Sequence, residues 1–93
     1  MARYVCLIRF SQQGIRSVKQ SPARAAAFRK AAEKSGVKVE SQLWTAGVYD
    51  GVIILNGDEK KVLGALTRLA ALGNVQTNSM PAFDAAEFAA VVR

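Results

Sequence analysis

The sequence predicts one α+β domain with the element order β-α-β-β-α-β, and three observations predict it. Segments 3–10 and 51–56 alternate as strands do yet are apolar on both faces. Segments 21–35 and 58–72 carry helical periodicity, each opening on a capping residue and closing at a glycine, Gly36 or Gly73. Segments 37–46 and 51–56 flank a turn containing Gly47, which is a hairpin signature. At 93 residues the chain is one domain's worth of polypeptide, with no repeat, linker or low-complexity tract.

Each element has a local reason. In 3–10, Tyr4, Cys6, Ile8 and Phe10 share one face and Val5 and Leu7 the other, as in a central strand covered twice. Residues 11–20 read as a polar connection around Gly14. Ser21-Pro22 starts a helix, with Ser at the N-cap and Pro where a missing N–H leaves no bond unmade. Ala25, Phe28 and Ala32 form its apolar stripe, while Arg24, Lys30 and Lys34 face elsewhere. Residues 37–46 alternate at first, as a half-exposed strand does, and 51–56 form a second, doubly apolar one. Asp58 caps a helix with the stripe Val62, Leu63, Leu66 and Leu69. Residues 74–82 supply the last strand, and Asp84 and Glu87 stand at capping-box spacing ahead of a short terminal helix.

This order is the split βαβ, or ferredoxin-like, arrangement: a four-stranded antiparallel sheet with both crossover helices on one face. The second face has no helix except the short terminal one, yet the central strands offer it apolar side chains. With 51% hydrophobic residues in so short a chain, that face predicts a partner, most simply a second copy packed sheet to sheet. A homodimer or larger homo-oligomer is therefore expected.

Charge is uneven. Residues 1–38 hold nine Lys or Arg and one acid, Glu33, a net +8, whereas residues 39–93 hold four basic and six acidic residues, a net −2. A basic half can attract a phosphate or carboxylate ligand, or can simply be a solvated helix face. Nucleic acid is not expected: the 51–56 strand has no aromatic on which a base could stack, and the RNA-recognition signature is absent. No apolar run approaches a membrane span. The lone Cys6 cannot form an intrachain disulfide and the start does not resemble a signal peptide, so a cytoplasmic protein is expected.

The chemistry available is narrow. There is no histidine, which removes the commonest acid–base catalyst and metal ligand. No metal site is expected, because the ligands are too few. No cofactor is expected either, since Gly14 and Gly57 form no phosphate loop. Cys6, mid-strand among apolar neighbours, reads as a small buried hydrophobe. The hairpin tip holds Gly47, Tyr49 and Asp50. Asp50 can serve as a general base with Tyr49 donating to a substrate oxygen, or both can be turn and packing residues. Trp44 suits a pocket, a subunit contact or the core. Arg9 interrupts an apolar strand and can clamp a ligand carboxylate or form an ion pair across an interface. The candidate ligand-binding set is Arg9, Trp44, Gly47, Tyr49 and Asp50, and the candidate catalytic pair is Asp50 and Tyr49.

Four stretches carry a family likeness: Gln12-Gln-Gly-Ile-Arg16, Ser21-Pro22, Leu43-Trp-Thr-Ala-Gly-Val-Tyr-Asp50 and Leu72-Gly-Asn-Val-Gln-Thr77. Together they resemble the GYD-domain family, named for a Gly-x-Tyr-Asp hairpin, over nearly the whole chain. The chain departs at Val48, where an acidic residue is common, and at Asn56-Gly-Asp58, where an acidic-Pro-Asp loop is usual. The resemblance implies a ferredoxin-like fold of the dimeric α/β-barrel type and no established activity. Residues 43–83 also resemble the effector domain of the leucine-responsive regulator/AsnC family, which binds amino acids between subunits. Three functions are thus expected to compete: a homo-oligomeric small-molecule-binding or sensing module holding a small, anionic ligand near the hairpin; a cofactor-free enzyme doing acid–base or monooxygenase-like chemistry with Tyr49 and Asp50; and a purely structural assembly protein.

Overall fold

In the computed structural model, which describes residues 2–93, strands and helices alternate as the sequence predicts. The order is β1 (Ala2–Phe10), α1 (Gln12–Arg16), a 3₁₀ turn (Val18–Gln20), α2 (Ser21–Lys34), β2 (Lys38–Trp44), β3 (Gly51–Gly57), α3 (Glu59–Ala71), β4 (Val75–Ala82) and α4 (Ala85–Val91). The strands form one antiparallel sheet in the order β2-β3-β1-β4. This is the ferredoxin-like α+β arrangement, with the apolar strands β1 and β3 at its centre.

The register fixes which side chains meet the helices. Cys6 pairs with Ile53 and Tyr4 with Leu55 across β1 and β3, so these four share the face under α2 and α3. Cys6, Val37, Val39 and Leu55 pack there against Ala32, Val62, Ala65 and Leu66 as the core. Val5, Leu7, Val52 and Ile54 point to the opposite face and stay half-buried, because no helix layer covers them.

Strand β2 carries a bulge between Val39 and Ser41. An extra residue in a strand reverses the side-chain alternation beyond it. Val39 faces the helices opposite Leu55, but Gln42 and Trp44 then take that side opposite Ile53 and Gly51. Leu43 is sent to the open face, opposite Val52.

Several expectations need correcting. The polar connection at 11–20 contains α1, which docks onto the end of α3. Ser11 caps it by accepting from Gly14 N, and Gln13 Nε2 donates to Leu72 O and Asn74 Oδ1. Asn74 O sits so near Gly14 that a Cβ there would overlap it, so tertiary contact rather than helix propensity makes this turn. Ser21 is the first residue of α2, not its N-cap; Gln20 takes that position without a side-chain bond. Leu63 is 65% exposed, because about 100° of helix rotation per residue carries it off the Val62–Leu66 stripe, and Ala65 fills its expected place. Arg24 does not face away from the core side, as described below.

Other expectations stand. Gly36 and Gly73 take φ of 96° and 81° and end α2 and α3. Asp58 Oδ2 accepts from Lys60 N and Lys61 N at the start of α3. Asp84 and Glu87 close a reciprocal capping box, each side chain accepting from the other's backbone N–H at 2.8 Å. Helix α4 is exposed along its length. No helix among the described residues is long and apolar enough to cross a membrane.

Candidate functional site

A cavity of about 390 Å³ lies between the sheet, α2 from Ser21 to Ala32 and the C-terminal half of α3. Its inner walls are apolar: Ile8 and Ile53 from the sheet, Phe28 and Ala25 from α2, and Leu69 from α3. The space exists because α2 turns alanines toward the sheet here, with one large apolar side chain, Phe28.

Polar groups gather at the mouth, where β1 and β2 end and β3 begins. Trp44 Nε1 donates to Ser21 Oγ at 3.0 Å. Ser21 itself has helical backbone angles, φ −55° and ψ −44°, so its hydroxyl is not placed to cap α2. Gln42 Nε2 donates to Ala25 O at 2.9 Å. Both contacts depend on the β2 bulge, which turns Gln42 and Trp44 to this side.

Asp50 anchors the hairpin to the central strand. Its backbone N–H donates to Ile8 O and its Oδ2 accepts from Phe10 N, both at 2.8 Å. Asp50 therefore continues the β1–β3 ladder past the last strand pair and presents its carboxylate at the cavity. The turn itself is held by Thr45 N donating to Asp50 O at 2.9 Å and Thr45 Oγ1 donating to Tyr49 O at 2.6 Å.

Two arginines contribute to the same lining, Arg68 with its Nη1 turned back over Gly64 of α3. Arg24, half-buried, donates from Nη1 to Ser17 O at 3.0 Å and to Ser17 Oγ at 3.1 Å, and from Nη2 to Gly14 O at 3.3 Å. Arg68 reaches the lining from the last turn of α3.

Of the ligand-binding candidates read from the sequence, the fold brings Trp44 and Asp50 together at the cavity. Arg9 is exposed on the opposite sheet face, and Gly47 and Tyr49 lie in the hairpin outside the lining. Sequence reasoning missed Arg24, Gln42 and Arg68. The only available signal was that Arg24 and Arg68 sit at the two helix ends that converge once both crossovers land on one face. Cys6 is fully buried below the cavity floor, and burial pushes its thiol up to about 11. Such a thiol is a poor nucleophile. Among the described residues no three His, Cys, Asp or Glu side chains cluster as metal ligands would.

A second surface is the uncovered sheet face. Val5, Leu7, Val52 and Ile54 form its centre, Leu43 and Met80 are exposed beside them, and Arg3 lies at one end. Arg3 pairs with Glu40 at 3.6 Å and with Glu87 of α4 at 3.4 Å.

No curated protein matches the chain at a significant level. The family model of the GYD domain matches residues 4–92, nearly the whole sequence, and the chain belongs to that family.

Proposed function

We propose that this protein is a small-molecule-binding module that works as a homo-oligomer, each copy housing its ligand between the sheet and helices α2 and α3. The observation that carries this reading is the apolar cavity of about 390 Å³ with polar groups converging at its mouth. A small domain fills its interior at near-crystalline density unless the space is used. Ligand sites have this construction, apolar walls with a few placed polar groups, and volumes of roughly 300–1,000 Å³.

The homo-oligomer rests on the other sheet face. The molecule is 17 Å through its thinnest axis, enough for one helix layer on one sheet. Val5, Leu7, Val52 and Ile54 thus have no covering layer from their own chain. A second copy brings the same apolar patch, and an isologous two-fold contact buries both at once. The binding site needs no residue from the partner, so ligand capture and association are separable.

Native mass spectrometry of gently purified protein tests both parts. The expected spectrum shows a dimer or larger assembly carrying a small-molecule adduct. A strictly monomeric mass at micromolar concentration removes the oligomer. Absence of an adduct, together with no change in Trp44 emission across a metabolite panel, removes the binding function.

A further inference from the structure

We infer that the cavity selects amphipathic monoanions: an apolar body between α2, α3 and the sheet, and one compact oxyanion, such as a carboxylate, at Arg24, with Arg68 on the same lining adding positive potential. The inference rests on the proposed binding function and names its ligand class.

The charge arrangement at the mouth carries it. Among the described residues, ion pairs form only between Arg3 and Glu40 and between Arg3 and Glu87, on the uncovered sheet face. Arg24 and Arg68 are therefore two cations at one apolar cavity without carboxylate partners. Arg24 is also held in place. Its three bonds go to neutral oxygens of Ser17 and Gly14, which fix the guanidinium plane and leave its charge uncompensated. A guanidinium has five N–H donors, so capacity remains for a carboxylate. A half-buried, pre-oriented guanidinium loses little freedom on binding an anion, and such charge-assisted bonds are the stronger kind. The N-terminus of α2, at Ser21 on the cavity wall, adds potential of the same sign.

Asp50 sets the limit on charge. Its carboxylate is the one acidic group on the lining, and only Oδ2 is occupied, by Phe10 N–H. It repels a second negative charge on the ligand, which favours a monoanion over a phosphate or dicarboxylate. Its remaining oxygen can accept from a ligand hydroxyl. The walls set the body: Ile8, Ile53, Phe28 and Leu69 offer no hydrogen bond, so that part of the ligand is hydrocarbon or aromatic.

The test uses the full chain and its only tryptophan, Trp44, whose indole stands at the mouth. Its emission is titrated with two matched pairs: decanoate against 1-decanol, and 1-naphthoate against 1-naphthalenemethanol. Each anion is expected to bind at least about tenfold tighter than its neutral isostere, a gap of about 1.4 kcal/mol. Arg24→Gln should abolish that preference and leave the alcohols' affinity unchanged. Arg68→Gln should reduce it by a smaller factor. Arg68 has no hydrogen bond to the rest of the chain, so this variant reports even if Arg24→Gln unfolds the α1 turn. Equal or tighter binding of the alcohols overturns the ligand class while the binding function stands. So does an anion preference that survives in a folded Arg24→Gln variant or, where that variant does not fold, is undiminished in Arg68→Gln. No binding of any probe overturns the binding function and the inference with it.

Discussion

The two ends of the helix-covered side are built from the same strands and helices but finish differently. At one end Leu55, Val37 and Cys6 are fully buried against Val62, Ala65 and Leu66. At the other, Ile8 and Ile53 face α2 across an open cavity. The difference lies in what the helices present. Toward the packed end α3 supplies Val62 and Leu66, whereas at the open end α2 supplies alanines beside Phe28. Helix backbones are spaced by their largest contacts, so the packed end sets the separation and the alanines cannot close the gap. A filled core and an open cavity can thus share one layer, separated by side-chain volume alone.

Shortening one side chain at each end tests the contrast most directly. Leu55→Ala should cost roughly 2–5 kcal/mol in chemical denaturation, since a fully buried leucine leaves a void. Ile53→Ala, beside space that already exists, should cost clearly less. Equal losses would mean that the open end is packed in solution.

The packed end also holds the thiol whose ionisation burial suppresses. Cys6 has its folded value raised from 9.0 to about 11, so its contribution is complete below pH 9 and is lost as pH climbs through 11. Denaturation midpoints should fall over that interval by the equivalent of roughly 2 kcal/mol, and Cys6→Ala should remove that component. A native thiol that reacts with an aromatic disulfide at pH 8 as fast as an unfolded one would contradict its burial.

Adding volume gives a smaller, opposite contrast. Val39→Leu, in the packed core, should destabilise by about 1–3 kcal/mol through overpacking. Ala25→Leu should change thermal stability by about 1 kcal/mol or less, because the cavity accepts the added carbons, and should suppress ligand binding. Ser21→Ala, which strands the Trp44 N–H, is expected to have a comparably small effect, because that exposed indole can turn to water. It should cost about 1 kcal/mol and shift the Trp44 emission maximum; an unshifted spectrum would mean that this contact does not persist.

Much of the fold was legible because it is written in local chemistry. Alternation in β1 and β3, the caps at Asp58 and Asp84, and the glycines at 36 and 73 each act within a few residues. The site was less legible. Asp50 and Trp44 stand out as residue types, but Gln42 and Trp44 reach the cavity only through the β2 bulge, which no residue in Glu40-Ser41 announces. Arg24 reads as a solvent-facing position on an alanine-rich helix, and only the docking of α1 brings Ser17 and Gly14 within its reach. Leu63 shows the converse: an apolar residue near the stripe that rotation alone places in solvent.

Local chemistry along the chain specifies the order of elements, the doubly apolar central strands and the family. Those depend on period, caps and turns, which neighbouring residues settle among themselves. Packing between distant segments left one end of the helix layer open and put two arginines without acidic partners on its lining. Those outcomes depend on how far the packed end holds α2 from the sheet and on α1 docking beside Arg24. Both are properties of contacts between segments distant in sequence.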